Sequence, residues 1–359
     1  MARAHSRTAA RSSGRSAPRR LRTRSRVLAA VAAVALSAAG LIGFGTANAS
    51  DTGRAADSQP AVGASKVPAH AVTGYWQNFD NGAKKQKLTD VPKDYDIIAV
   101  AFGEAGGKAG QVGFKLDPAT GYSSADDFKA DIKKEHDAGK SVILSVGGEK
   151  GAVQVGDDAA AQTFADSVTK LMDEYGFDGV DIDLENGLKA DYMTKALKAI
   201  HDKKSDAVIT MAPQTVDMQS PDNDYFKTAL NIKDFLTVVN MQYYNSGSMN
   251  GCDGKTYAQG TVDFLTSLAC VQIKGGLSPS QVGLGVPATK QAAGSGYVDP
   301  KVVNDALDCL AKGTGCGDFK PEKKYPDIRG AMAWSTNWDA ADGNKWSGSV
   351  GPHVHGLGG

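Results

Sequence analysis

From residue 71 onward the apolar positions follow two alternating patterns. Short runs rich in aliphatic and β-branched residues recur eight times: "AVTGYW" (71–76), "DIIAVAF" (96–102), "SVILSV" (141–146), "FDGVDIDL" (177–184), "AVITMAP" (207–213), "FLTVVNMQYY" (235–244), "QVGLGVP" (281–287) and "RGAMAW" (329–334). Runs this short and this apolar fit strands buried on both faces. Between several of them, apolar residues return every three or four positions, the spacing of a helix with one buried side. "SADDFKADIKKEHDAG" opens on Ser124 as an N-cap and stops at Gly139. "DAAAQTFADSVTKLMDEYG" stops at Gly176, and "KADYMTKALKAIHDKK" and "TVDFLTSLACVQIKGG" follow the same logic. Strands alternating with helices predict an α/β fold with a parallel sheet covered by helices. Eight repeats favour closure into a single (β/α)8 TIM barrel. The helical pattern is weakest in the first crossover (80–95) and the last segment (339–357).

The chain before this region changes the picture of location. It begins with an arginine-dense stretch, "RAHSRTAARSSGRSAPRRLRTRSR", followed by an alanine-rich apolar run from Val27 to about Phe44. "TANAS" then offers Ala47 and Ala49 as an A-x-A cleavage signal. Residues 1–49 therefore read as a secretion signal cleaved after Ala49, with an extracellular product and no membrane attachment after cleavage. Arg19-Arg20 is followed by Leu21-Arg22-Thr23, a poor match to a twin-arginine signal. Residues 50–69 are small, polar and proline-containing, and read as a flexible leader. Residues 70–359 then form one domain of about 290 residues, a usual size for such a barrel.

Composition narrows the partners. The chain is 41% hydrophobic and 22% charged with a formal net charge of zero. Its basic cluster lies in the signal, so nucleic acid is not an expected partner. The four cysteines, Cys252, Cys270, Cys309 and Cys316, all lie in the exported part, where disulfides persist. Four cysteines allow three pairings; short loops suggest Cys252–Cys270 and Cys309–Cys316. No C-x-x-C spacing or nearby histidine supports zinc, and no metal is expected. The "HVH" near the end reads as a tail.

One strand breaks the apolar rule. "FDGVDIDLEN" (177–186) alternates acid with aliphatic. In a strand, side chains point to opposite faces in turn, so Asp181, Asp183 and Glu185 share one face and Val180, Ile182 and Leu184 the other. In a barrel the aliphatics would meet the helices and the acids would climb the bore. Glu185 would lie at the C-terminal mouth, where barrel active sites sit. Three carboxylates so confined cannot all ionise, and a raised pKa suits a general acid. A calcium site would need ligands wrapped around a turn, which this alternation does not provide.

Asp178-x-x-Asp181-x-Asp183-x-Glu185 resembles the D-x-x-D-x-D-x-E signature of family 18 glycoside hydrolases, the chitinases. Other segments match that family in order: Ser145 to Gly148 ("SVGG", including Gly147), "APQ" ending on Gln214, "MQYYN" from Met241 to Asn245, "MAWS" from Met332 to Ser335, and "GYWQNF" (74–79). The match covers about residues 70–340 and is most similar to the compact, hevamine-like bacterial enzymes. The resemblance implies retaining hydrolysis of β-1,4-linked N-acetylglucosamine polymers by substrate assistance, without a cofactor. Chitin or its oligosaccharides would be the substrate and the enzyme a monomer. On that reading Glu185 is the acid and then the base, Asp183 orients the N-acetyl group, Asp181 shares a proton with Asp183, and the Tyr244 hydroxyl holds the N-acetyl oxygen. Trp334 would floor the site, with Gln242, Asn245, Gln214, Tyr75 and Met241 as binding residues. Asp178 would cap the entry of the strand, and Ser145 would support the aspartates.

Other chemistries fit poorly. The six histidines suggest no Ser-His-Asp arrangement. "GEAGGKAG" (103–110) lacks phosphate-loop spacing and reads as a flexible loop at the barrel mouth. Trp338 and Trp346 would line a subsite or seal the last helix. Only about a dozen residues follow Pro287 before a helix near Asp299, too few for an inserted domain. An open groove and endo-acting cleavage are expected. With no carbohydrate-binding module attached, crystalline chitin should be a poorer substrate than soluble chitin. Two alternatives share the catalytic strand or barrel: an endo-β-N-acetylglucosaminidase acting on N-glycan cores, and a non-catalytic chitin-binding lectin.

Overall fold

The computed structural model describes residues 67–358. The expected signal, its cleavage point and most of the leader lie outside the described residues. Val67 is already buried, in the same apolar cluster as Ala71 and Tyr75, so ordered packing begins slightly before the boundary expected at residue 70.

Eight parallel strands form the barrel: β1 (Ala71–Gln77), β2 (Ile97–Ala105), β3 (Ser141–Gly147), β4 (Gly179–Asp183), β5 (Val208–Met211), β6 (Val238–Gln242), β7 (Val282–Pro287) and β8 (Gly330–Trp334). Each pairs with its neighbours in chain order, and β1 closes the ring by pairing with both β2 and β8. All eight expected strands are present. β2 runs further than expected, because Glu104 and Ala105 pair antiparallel with Val112–Gly113. The glycine-rich segment expected to be a mouth loop is thus the turn of a hairpin.

The helices are α1 (Ala125–Asp137), α2 (Asp158–Tyr175), α3 (Ala190–Lys203), α4 (Asp224–Asn231), α5 (Val262–Lys274), α6 (Pro300–Lys312), α7 (Thr336–Ala341) and α8 (Lys345–His355). Ser124 caps α1 by accepting from Asp127 N at 3.1 Å, and Gly176 ends α2 in the left-handed conformation, φ 84°. The first crossover holds only a single 3-10 turn, Leu88–Asp90. The last segment is helical after all, as α7 and α8. Trp346 is buried there and stacks on Tyr95 at 6.1 Å, while Trp338 packs against the core from a partly exposed position. These two tryptophans hold the closing helices to the barrel.

Strand alternation sorts the core into two parts. Val180, Ile182 and Leu184 face outward into the apolar layer beneath the helices. The bore carries Ala71, Tyr75, Ile97, Ala99, Ile143, Val208, Val238 and Met332, with Val67 in the same cluster. The disulfides are Cys252–Cys270 and Cys309–Cys316, the pairing that loop length suggested. The first ties the hairpin after β6 to α5, and the second closes the end of α6. Among the described residues, no helix is long and apolar enough to cross a membrane.

Candidate active site

β4 stops at Asp183, so Glu185 lies just beyond the strand, in a turn where its N–H reaches Asp183 O at 3.2 Å. Strand register explains the surroundings of the carboxylates. Asp181 stands beside Ser145 on β3 and beside Thr210 on β5. Both hydroxyls donate to it, at 2.7 and 2.6 Å, and Tyr75 OH donates across the bore at 2.7 Å. Asp181 is fully buried, and burial pushes its pKa up while the three hydroxyls pull it back.

Asp183 is treated differently. Its Oδ1 accepts from Gln242 Nε2 at 2.9 Å. Burial, then the charges of Asp181 and Glu185, push its pKa well above the usual carboxylate range. Of the two aspartates, Asp183 therefore holds the proton, and Asp181, with three donors, is equipped to be the anion. Glu185 is half-buried, and burial raises its pKa too. Gln242 joins the pair: the same amide lies 3.4 Å from Glu185 Oε1 and 3.1 Å from Ala212 O. Tyr244 is buried beside them. Burial, then Asp183 and Glu185, hold its phenol firmly protonated, so its O–H is a donor at neutral pH.

Two glycines let the chain pass close by. Gly147 has φ 122°, and a Cβ there would come within 2.3 Å of Asp183 O. Gly148 has φ 75°, and a Cβ would meet the Phe102 ring at 2.5 Å. Without side chains, the exit of β3 lies flat against that of β4, with Gly148 N donating to Asp183 O at 2.7 Å.

Asp183, Glu185, Gln242, Tyr244, Asn245 and Trp334 line one groove of about 1220 Å³ across the barrel mouth. Trp334 lies with Phe102 at 5.8 Å and Phe79 at 6.5 Å, and Phe79 stacks on Phe102 at 6.1 Å. Asn245 takes a left-handed conformation, φ 51°, and its Oδ1 accepts from Ser295 N at 3.0 Å.

Three expected binding residues sit elsewhere. Tyr75 is only 1% exposed, and its hydroxyl is spent on Asp181 inside the bore. Met241, one residue from inward-facing Gln242, points to the other side of β6 and lies in the apolar layer under the helices. Gln214 does not line the groove; it bridges Gln242 beyond the exit of β5. Asp178 sits at the entry of β4, where its Oδ2 accepts from Val142 N at 2.8 Å and lies 2.7 Å from His136 Nε2.

Sequence reasoning missed Thr210, Phe79, Phe102 and Tyr225. Tyr225 OH accepts from Leu184 N at 2.6 Å and so steadies the turn that carries Glu185. Phe79 ends the "GYWQNF" segment without having been singled out, and the other three belong to no motif. Only the strand register marks Thr210, and Phe102 sits at a register shift between Ala101 and Gly103 that the sequence does not mark.

A D-x-x-D-x-D-x-E strand with its last carboxylate at the mouth of a closed barrel invites comparison with known proteins. Residues 71–349 match Glycosyl hydrolases family 18. The chain belongs to this family. A solved Streptomyces coelicolor protein that carries the name Chitinase A is 66% identical, with a TM-score of 0.79 over 80% of this chain and 99% of that one. A family GH18 chitinase from Chromobacterium violaceum is 34% identical, with a TM-score of 0.75 over 80% of this chain and 85% of that one. Chitinase Chi52 of Paenibacillus xylanexedens is 35% identical over 79% of this chain, which spans only 61% of that relative's length.

Proposed function

We propose that this family 18 member is a secreted, monomeric, endo-acting chitinase that hydrolyses β-1,4 linkages between N-acetylglucosamine units with retention. The observation that carries the reading is the complete carboxylate strand, with Asp183 and Glu185 joined by Gln242 under an open groove that Trp334 and Tyr244 also line. The names of the Streptomyces, Chromobacterium and Paenibacillus relatives support the substrate class.

On this reading Glu185 protonates the leaving glycosidic oxygen, a role that its raised pKa favours. The protein supplies no nucleophile. The substrate's own N-acetyl oxygen attacks the anomeric carbon and forms an oxazolinium ion. Tyr244 donates to that oxygen and holds it in line. Asp183 gives its proton to Asp181, whose negative charge three hydroxyl donors held until then, and as a carboxylate accepts from the N-acetyl N–H; the proton returns to Asp183 when the ring opens. Glu185, now a carboxylate, takes a proton from the incoming water, which opens the ring and restores the starting state. Trp334, Phe102 and Phe79 offer apolar faces to sugar C–H surfaces.

The short connection from Pro287 to Pro300 supports endo cleavage, because it is too small to wall the groove. The N-terminal signal pattern and the two disulfides support export. The only large hydrophobic side chain exposed among the described residues is Val216, which supports a monomer.

Time-resolved product analysis on N-acetylglucosamine oligomers, wild type beside Glu185→Gln, tests the proposal. Internal cleavage with a β-anomeric first product is expected, and loss of turnover in the variant. Disaccharide release from one end alone would overturn the endo assignment. Glycan release from a high-mannose glycopeptide without oligomer cleavage would overturn chitinase. N-terminal sequencing of protein from culture medium should begin at Ser50.

A further inference from the structure

We propose that Glu149 and Asp217 are positioning residues for the proton on Glu185, holding it on the carboxyl until a glycosidic oxygen is in place to take it. The inference rests on Glu185 being the acid of the proposed reaction. Neither residue belongs to the D-x-x-D-x-D-x-E strand.

The backbone brings Glu149 to Glu185. The carbonyl oxygen of Asp183 accepts from Gly148 N at 2.7 Å and from Glu185 N at 3.2 Å. Glu149 follows Gly148, so the two glutamates leave the chain from either side of one carbonyl, and both line the groove. Gly151 N closes the Glu149 turn on Gly148 O at 3.1 Å. Asp217 approaches from the exit of β5. Its Oδ2 accepts from Gln214 N at 3.1 Å, and Gln214 bridges Gln242, whose amide reaches Asp183 and Glu185. Glu149 is thus held next to the Glu185 turn by the backbone, and Asp217 is linked to the Glu185 carboxyl through Gln214 and the Gln242 amide.

Like charges at short range favour the protonated form. Burial is the larger cause of the raised pKa of Glu185; Glu149 and Asp217 add to it, and the Gln242 amide opposes them. The charged and titratable groups set around Glu185 and its groove are Asp183 on β4 with Asp181 deeper, Glu149 and Lys150 after β3, Asp217 after β5, Tyr244 after β6, and Asp80, Glu104, Lys115 and Asp117 further along the groove. Lys150 and Lys115 are the cations among them. Asp217 is half-buried and its own pKa is raised by burial, so its charge, and its hold on Glu185, weaken as the medium becomes acidic. Glu149 is exposed at the groove and acts through solvent.

The test is the pH dependence of kcat/KM on a chitooligosaccharide for wild type, Glu149→Gln, Asp217→Asn and the double variant. Asparagine can still cap Gln214, so Asp217→Asn preserves the turn. Each single change should move the basic limb to lower pH by about half a pH unit, and the double variant by more. Glu149→Asp should restore most of the wild-type profile, which a purely structural role would not produce. A basic limb that stays in place in the double variant overturns the proposal. Two measurements stand in if a variant fails to fold. Raising ionic strength from about 0.01 M to about 0.5 M should move the wild-type limb the same way, because the Glu149 charge is screened; no movement counts against the proposal. Carbon NMR titration of the Glu185 carboxyl without substrate separates this inference from the proposed reaction. An inactive wild type whose Glu185 titration still shifts in the variants would sink the reaction and support the coupling. An active wild type with no such shift would do the reverse.

Discussion

At the entrance of β4, Asp178 meets a backbone N–H at 2.8 Å and an imidazole nitrogen at 2.7 Å. At the exit of the same short strand, Asp183 meets a neutral amide and two other carboxyls. The difference repeats around the barrel. At the closed end, Arg329 donates to the carbonyls of Ser280, Pro68 and Thr237, and Asp96 accepts from Val72 N beside His355. At the mouth, Asp183, Glu185 and Tyr244 are crowded by like charge or by burial, which favours their protonated forms. Asp178, just before β4, and Asp183, at its end, are both largely withdrawn from water, so burial alone does not decide how a carboxyl behaves. The partner decides. Donors at one end make carboxylates into fasteners; their scarcity at the other leaves protons available for chemistry.

The largest expected effect lies at the mouth. Asp183→Asn keeps the shape and an acceptor for Gln242 but removes the proton exchange with Asp181 that the proposed reaction requires. Turnover of chitooligosaccharides should fall by about 10²- to 10⁴-fold, with the circular dichroism spectrum unchanged. A loss below tenfold would mean that the crowding at the mouth serves packing. Next comes the opposite end. Asp178→Ala removes the acceptor for Val142 N and the neighbour of His136, and should cost about 2–3 kcal/mol in urea unfolding. The folded fraction should retain turnover. A variant of full stability but lost activity would invert the comparison.

Much of this contrast was legible in the sequence. Eight apolar runs announced the barrel, and the alternation in "FDGVDIDLEN" put Asp181 and Asp183 in the bore with Glu185 at the mouth. What stayed hidden depends on contacts between strands. Thr210 reads as one more β-branched residue until register sets it beside Asp181. Tyr75 sits in a segment resembling a sugar-contacting mouth, yet its strand places the hydroxyl deep in the bore. Met241 was carried along with its motif, although the alternation that placed the acids also turns it outward. Phe102 lines the groove at a register shift in β2, and the glycine-rich sequence after it does not distinguish the turn of a hairpin from a loose loop.

A smaller effect should separate stability from function within Asp183 itself. Burial, Asp181 and Glu185 raise its pKa in the fold, so the folded state binds the proton more tightly than the unfolded chain. The stability from that proton is fully present below the unfolded value of about 3.9 and is lost as pH rises through the folded value. Near neutral pH the carboxyl therefore weighs against folding, and Asp183→Asn should raise the thermal midpoint by about 2 °C, on the order of 1 kcal/mol. The gain should vanish near pH ~4. A midpoint that falls at neutral pH would show that the carboxyl fastens the mouth as Asp178 fastens the entrance.

The smallest effect probes what does the fastening at the closed end. His355 Nε2 lies 2.9 Å from Asp96 Oδ2, the same oxygen that accepts from Val72 N at 2.7 Å. His355 stands in the last turn of α8 and is substantially exposed, so its contact with Asp96 shares solvent with the surface. His355→Ala should cost about 0.5 kcal/mol in urea unfolding, because Asp96 keeps its backbone donor. Asp96→Ala should cost about 1–2 kcal/mol, because Val72 N then loses its acceptor. If instead His355→Ala cost as much as Asp178→Ala, the imidazole contacts would be holding this end together. The comparison between the two ends would then rest on charge pairing and no longer on which backbone amides each carboxylate serves.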